Sequence, residues 1–179
     1  MKRALFIAMC TVALFITGCA ATPIYKQLNL RSGDTAVKLE NNKSVFVVTP
    51  ANGEDGSTEY QKSGQMTAQT VKAAFVRYTN RIFVSKDCGE LQSCLEEAKT
   101  ANYDYLVFPD ILYWQDRATE WSGKLDQIAI KLSLFNVPKK IKMQSIIIKG
   151  KSAWATFGGY HPQDLLLEPI NNYVSSLYR

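Results

Sequence analysis

The chain has 179 residues, 46% of them apolar, enough to bury one ordinary core, and a formal net charge of +5. Lys2 and Arg3 supply two of those charges, and the rest of the chain, at about +3 with no long basic run, does not argue for nucleic acid as a partner. His161 is the sole histidine, which excludes a multi-histidine metal site, and no metal or other cofactor is expected.

The N-terminus falls into three zones: Lys2 and Arg3, an apolar run from Ala4 to Ile16, and the stretch Ile16-Thr17-Gly18-Cys19. A helix that spans a ~30 Å hydrocarbon core permanently needs ~20 apolar residues. The run is shorter, and its charge-then-apolar order is that of a cleavable export signal. The small Gly18 before Cys19 resembles a bacterial lipobox, in which the cysteine sulfur takes a diacylglycerol before the peptidase cuts. Residues 1–18 are therefore expected to be a lipoprotein signal peptide, with Cys19 the lipidated first residue of the mature chain. Each buried methylene adds about 0.8 kcal/mol of membrane affinity, so a multi-acyl anchor is effectively permanent. Ala20, rather than aspartate, follows Cys19, and by resemblance to the enterobacterial sorting rule this favours the outer membrane, with the domain facing the periplasm.

Residues 19–42 are polar, carry Pro23, Gly33 and Asn41-Asn42, and predict an irregular lipidated tether. Ser44 to Thr49 (SVFVVT), ending at Pro50, predicts a buried strand. Pro50 to Gly64 holds Gly53, Asp55, Gly56 and Ser57 and predicts a mobile loop. From Gln65 to Tyr78 the apolar residues Met66, Val71, Ala74, Phe75 and Tyr78 have helical spacing, and Asn80 is a plausible stop. Arg81 to Ser85 (RIFVS) predicts a second short strand.

Gly89 to Ala101 predicts a second helix, with Leu91, Cys94, Leu95 and Ala98 on one face and Glu90, Glu96, Glu97 and Lys99 outside. Cys88 and Cys94 are an even pair in an oxidising compartment, and their separation predicts a disulfide that staples the helix start to the preceding turn. The C-x-x-C spacing of oxidoreductases is absent. Closing so short a loop is worth about 2 kcal/mol in the chain-entropy model.

Tyr103 to Asp116 predicts a third, longer strand. Lys124 to Val137 predicts a fourth, with Ile128, Ile130, Leu132 and Leu134 facing one way and Ala129, Lys131 and Ser133 the other, the alternation of a half-buried antiparallel strand. Lys139-Lys140 turns the chain into a fifth, Ile141 to Ala153. Pro162 suits a first helical position, and Pro169 breaks continuity. The end is therefore expected to be a short helical turn, then a helix from about Pro169 to Tyr178 that buries Ile170, Tyr173, Val174 and Leu177. The order β-α-β-α-β-β-β-α predicts one α+β domain over residues 43–179, a mixed five-stranded sheet with helices mainly on one face.

Little in the chain carries chemistry. No G-x-S-x-G elbow, P-loop or dinucleotide fingerprint occurs. His161, directly before Pro162, reads as a capping or surface residue. The unusual cluster is Trp114-Gln115-Asp116-Arg117-Ala118-Thr119-Glu120-Trp121-Ser122-Gly123, at the turn between the third and fourth strands. Asp116 and Glu120 could serve as general acid and base in glycoside hydrolysis, which needs carboxylates ~5–9.5 Å apart, although two acids near a turn are commonplace. Trp114 and Trp121 could instead form a binding hot spot, since Trp and Arg dominate interface energetics. Arg117 could equally pair with Asp116, Glu120 or Asp126 and simply hold the hairpin. Trp154, Phe157 and Tyr160 form a second aromatic group, read as core packing.

The Trp114–Gly123 run with Asp126, together with Trp154-Ala155-Thr156-Phe157-Gly158-Gly159 and His161-Pro162-Gln163-Asp164-Leu165-Leu166, resembles the proteobacterial lipoproteins of domain of unknown function 4823. The resemblance spans roughly residues 43–178. Gln115 departs from the family pattern, where glutamate is expected, and this weakens an acid–base role for that strand. The resemblance implies class and location but no activity. The element order is also loosely similar to the α/β domain of the TolB N-terminal region and of the curli-secretion and penicillin-binding-protein-activator lipoproteins, which implies docking onto other envelope proteins. The expected function is thus a lipid-anchored, non-catalytic envelope protein. It would bind a protein or glycan partner through Trp114, Asp116, Arg117, Glu120 and Trp121, and the membrane through Cys19. A glycan hydrolase using Asp116 and Glu120 is the alternative, and a purely structural lipoprotein a third.

Overall fold

Three long strands that alternate apolar and polar residues set the architecture. In the computed structural model, which describes residues 22–30, 37–86, 88–116, 125–153 and 161–179, these are β6 (Tyr105–Gln115), β7 (Gln127–Asn136) and β8 (Ile141–Lys151), an antiparallel meander. On β7, Ile128, Ile130, Leu132 and Leu134 are all buried on one face, as their period of two predicts. Leu132 lies between Pro109 of β6 and Ile146 of β8, so the same face continues across three strands. The β7–β8 turn closes at Lys140, with φ at 53°, while the Asn136 Oδ1 accepts a hydrogen bond from the Lys139 N–H at 3.0 Å.

The first half of the domain adds parallel pairing. Strand β2 (Val45–Val47) lies between β6 and β5 (Ile82–Val84), parallel to both, and all three of its residues are buried. Such two-sided burial matches its continuous Val-Phe-Val run. Helix α1 (Ser63–Phe75) carries the chain outward from β2 to β5, and α2 (Leu91–Thr100) carries it back past β2 to β6. Crossovers share one hand, so reversing the direction of travel moves the helix to the opposite face. Accordingly α1 packs with α3 (Leu167–Leu177) over the main core of Val45, Val107, Ile130 and Ile148. Helix α2 covers a smaller core of Phe46, Leu106, Phe135 and Val137 behind the sheet. Cys88 and Cys94 are joined by a disulfide, with Cα atoms 5.1 Å apart, that ties α2 to the turn before it. At the C-terminus a 3-10 turn, Pro162–Leu165, leads into α3, and Pro169 falls in the first turn of α3, where its missing N–H costs nothing.

Two stretches differ from expectation. Ile24–Leu30, expected as part of an irregular tether, is a strand, β1, and pairs antiparallel with β8 along all seven residues. The sheet therefore has six strands rather than five, in the order β1-β8-β7-β6-β2-β5. The stretch expected as a mobile loop holds a two-stranded hairpin, β3 (Gly53–Asp55) and β4 (Thr58–Tyr60), turning at Gly56, with φ at 62°. Helix α1 also begins two residues earlier than its apolar spacing suggests, and ends three residues sooner.

The start of the parallel pair is locked by side chains. The Ser44 N–H and hydroxyl donate to Asp104 Oδ2 at 2.8 and 2.7 Å, and the Asp104 N–H donates to Ser44 Oγ at 3.0 Å. Burial alone would raise the Asp104 carboxyl, but the Ser44 hydrogen bonds and the Lys43 ammonium 3.5 Å away outweigh it and hold it below the ordinary carboxylate value. A carboxyl lowered by folding adds stability above its unfolded value of about 4, and that stability is lost as pH falls through the lower folded value. Urea titrations at stepped pH should therefore show an acid-side loss that Asp104→Asn reduces. Replacing Cys88 and Cys94 with serine should lower the unfolding free energy by about 2 kcal/mol, read as an earlier urea midpoint at unchanged slope.

Candidate functional site

A β-bulge decides what the end of β6 presents. Before it, Val107, Pro109 and Ile111 lie opposite Leu134, Leu132 and Ile130 of β7. The register shifts between Ile111 and Tyr113, after which Trp114 lies opposite Ile128. The extra residue, Leu112, reverses the parity of the strand, so Trp114 joins Ile111 on the core face, and Leu112 is left 47% exposed.

The β3–β4 hairpin then lies on Trp114. A Cβ built at Gly53 would stand 2.5 Å from Trp114 Cβ and 2.9 Å from Ile111 Cγ2, so only glycine permits this approach. The Gly53 N–H donates to Ser63 Oγ at 2.7 Å, and the Gly64 N–H to Asn52 Oδ1 at 3.2 Å, which fastens the hairpin to the start of α1. From the next position on β6, Gln115 Nε2 donates to Asp55 Oδ2 at 2.9 Å. Gln115 is buried, and its Oε1 has no hydrogen-bond partner among the described residues.

Of the residues expected to bind a partner, Trp114 is 1% exposed. That role does not suit a side chain inside the core, and Trp114 instead supports the strand end from beneath. Asp116 is at the surface, with Oδ2 3.9 Å from His161 Nδ1, a pairing between distant parts of the chain that spacing gave no means of anticipating. His161 is exposed, and its N–H donates to Asp164 Oδ2 at 3.0 Å, fixing the start of the 3-10 turn. That turn is seated over the sheet at Gly150, where a Cβ would stand 3.0 Å from Leu165 Cβ and 3.1 Å from Ile128 Cγ2. Asp126 is buried; its N–H donates to Ser152 Oγ at 2.9 Å and its carbonyl accepts from the Ser152 N–H at 3.0 Å. Arg117, Glu120 and Trp121, as well as Trp154, Phe157, Tyr160 and Cys19, lie outside the described residues.

The register nevertheless brings the strand ends that flank the two aromatic segments of the sequence to one end of the sheet. Gln115, Gln127 and Lys151 form a single row across β6, β7 and β8, so residues 116–126 connect two neighbouring strands there, and the chain leading to 154–160 leaves from the third. Chemically, the described part of this end offers one exposed imidazole, His161, with two exposed carboxylates, Asp116 and Asp164, beside it. Among the described residues no three His, Cys, Asp or Glu side chains converge as a metal site would require.

The family model for Domain of unknown function (DUF4823) matches residues 37–177. The chain belongs to this family. Among curated protein sequences nothing matches it. Of solved structures, the PelC dodecamer from Paraburkholderia phytofirmans is similar at 15% identity, covering 88% of this chain and 99% of its own, with a TM-score of 0.65. A variant PelC dodecamer from the same organism gives 14% identity, 87% and 98% coverage and a TM-score of 0.64. A lipoprotein from Neisseria meningitidis matches at 10% identity over 74% of this chain and 98% of its own, with a TM-score of 0.49. At these identities the PelC likeness establishes the fold of this DUF4823 protein and leaves its activity to its own residues. Among the described residues no helix is long and apolar enough to cross a membrane.

The contact between Gly53 and Trp114 generates a direct test. Gly53→Ala forces a methyl group against backbone-attached atoms that cannot swing aside, and should destabilise by about 1–3 kcal/mol in urea unfolding.

Proposed function

We propose that this DUF4823 protein is a lipid-anchored, non-catalytic accessory protein of the bacterial cell envelope. Residues 1–18 serve as its export signal and Cys19 carries the acyl anchor in the outer membrane, with the domain on the periplasmic side. It captures a protein or glycan partner through the Trp114–Gly123 segment, in which Asp116, Arg117, Glu120 and Trp121 make the contacts and Trp114 holds the strand end in place. The anchor raises the effective concentration of the domain near a membrane-bound partner without any added contact.

The observation that carries this reading is the fixing of the β6 end by two independent contacts, Trp114 under Gly53 and Gln115 to Asp55. A segment delivered from a rigid strand end loses less freedom on binding than one on a loose loop, which favours affinity. A glycan hydrolase would need Asp116 or Glu120 as a protonated acid in a water-excluded cleft. Asp116 is on the surface instead, which favours the binding reading.

Crosslinking of the mature lipoprotein in intact envelopes, with protein and glycan both recovered, tests this placement. Trp121→Ala should weaken capture about thirtyfold or more, the loss of a hot-spot residue, with an unchanged thermal unfolding midpoint. Capture that is indifferent to Trp121 would refute the assignment.

A further inference from the structure

We infer that the face of β1, β8 and β7 that no described helix covers docks onto an anionic phospholipid surface, the leaflet that holds the chain's own acyl anchor. The inference rests on lipidation at Cys19. Residues directly opposite in antiparallel strands share a face, and side chains alternate along each strand. The core face of this part of the sheet carries Ile128, Ile130, Ile146, Ile148 and Gly150 beneath α3 and the 3-10 turn. The alternate positions make the other face. There Ile24 lies opposite Lys151, and Lys151 opposite Gln127. One step further, Lys26 lies opposite Lys149, and Lys149 opposite Ala129; then Leu28 lies opposite Ile147, and Ile147 opposite Lys131.

On β1, β8 and β7 the charge of this face, among the described residues, has one sign. Lys26, Lys149 and Lys151 are exposed, Lys131 is half-buried, and no acidic residue lies in these rows on β1, β8 or β7; Asp110 of β6, opposite Lys131, borders the patch at its far side from Ile24. None of the four makes an ion pair among the described residues. Ile24, 69% exposed, sits in the same row as Lys151. Lysines around one exposed aliphatic side chain, Ile24, and the half-buried Leu28 and Ile147 match what an interfacial surface presents to anionic headgroups.

The length of chain before β1 brings this face to the bilayer. Only four residues, Ala20 to Pro23, separate Cys19 from Ile24. Fully extended, that step reaches about 18 Å at most. Lys151 is one strand spacing from Ile24, about 5 Å, and Lys26 and Lys149 are two residues along, about 7 Å. All three lie nearer to the start of β1 than the reach of the anchor, and a Debye length of about 8 Å leaves them inside the field of an anionic leaflet. The acyl chains hold the protein at the membrane, and the lysines decide which face turns to it.

The test uses the mature lipoprotein purified from envelopes, with its acylation at Cys19 read by intact mass. It is reconstituted in vesicles of phosphatidylcholine alone, or of phosphatidylcholine mixed with phosphatidylglycerol, and its lysines are acetylated and followed by peptide mass spectrometry. One lysine near an anionic surface is worth about fivefold in binding, so three should slow acetylation of Lys26, Lys149 and Lys151 by about tenfold or more relative to Lys72 on α1. The slowing should appear only in the anionic vesicles, vanish in high salt, and be relieved at Lys26 and Lys151 by Lys149→Glu. Equal rates in both vesicle types would overturn the docking while leaving an acylated Cys19, and the lipoprotein reading, intact. Protection that depends on protein density and not on lipid charge would assign the face to a second copy of the chain and overturn it as well. An unacylated Cys19 would remove both the anchor and this proposal, and the intact mass distinguishes that failure from the others.

Discussion

The rest of the structure depends on the register of β7. Ile128, Ile130, Leu132 and Leu134 are buried on one face of a strand that is hydrogen-bonded along both edges. Burying such a side chain is worth about 1.5–3 kcal/mol, so the four together are worth about 6–12 kcal/mol. That is comparable with the whole net stability of a typical domain, about 5–15 kcal/mol. A slip by one residue would turn all four toward the open face. The register that avoids this cost also pairs Trp114 with Ile128 and brings Gly150 beneath Leu165, so the β3–β4 hairpin and the C-terminal turn are both seated by it.

The two faces of the sheet are finished by different means. The main face is covered by α1 and α3, whose apolar stripes are long enough to bury it. Among the described residues the other face has only α2, ten residues long, behind β2 and the start of β6. So short a helix buries little, and the Cys88–Cys94 disulfide, whose Cys94 is itself part of this smaller core, ties it to the turn before it. Beyond α2 this face is finished with lysines, which stay hydrated there, and with half-buried Leu28 and Ile147.

Three features that cost stability meet where the candidate site begins. The bulge at Leu112, the contact that requires Gly53, and the buried Gln115 with its Oε1 unpartnered among the described residues lie within a few positions of one another. Each costs stability, and together they set the strand end from which residues 116–123 depart. The first strand starts at this same end, because Ile24 pairs with Lys151 in the row that also holds Gln127 and Gln115.

Residues with a strong local signature were legible from sequence. The alternation on β7, the helical spacing of α1 and α2 and the paired cysteines each follow from interactions within a few residues, and the family was legible as a resemblance of motifs. The last helix starts at Leu167, two residues before the expected Pro169, because a proline is tolerated in a first turn. Strand β1 was not legible: Tyr-Lys-Gln-Leu-Asn has little apolar content, and only the free edge of β8, more than a hundred residues away, makes it a strand. The β3–β4 hairpin looked like a loop because its partner surface is Trp114, supplied by another element. At the site, the sequence marked the Trp114–Gly123 cluster as unusual, but burial decided that Trp114 supports the strand from inside, and the bulge decided its direction. Short-range spacing thus determined most of the elements, and motif resemblance the family. Which strands lie side by side, which face stays open, and how Asp116 comes to His161 depended on long-range packing, since backbone pairing and burial join residues that are far apart in the chain.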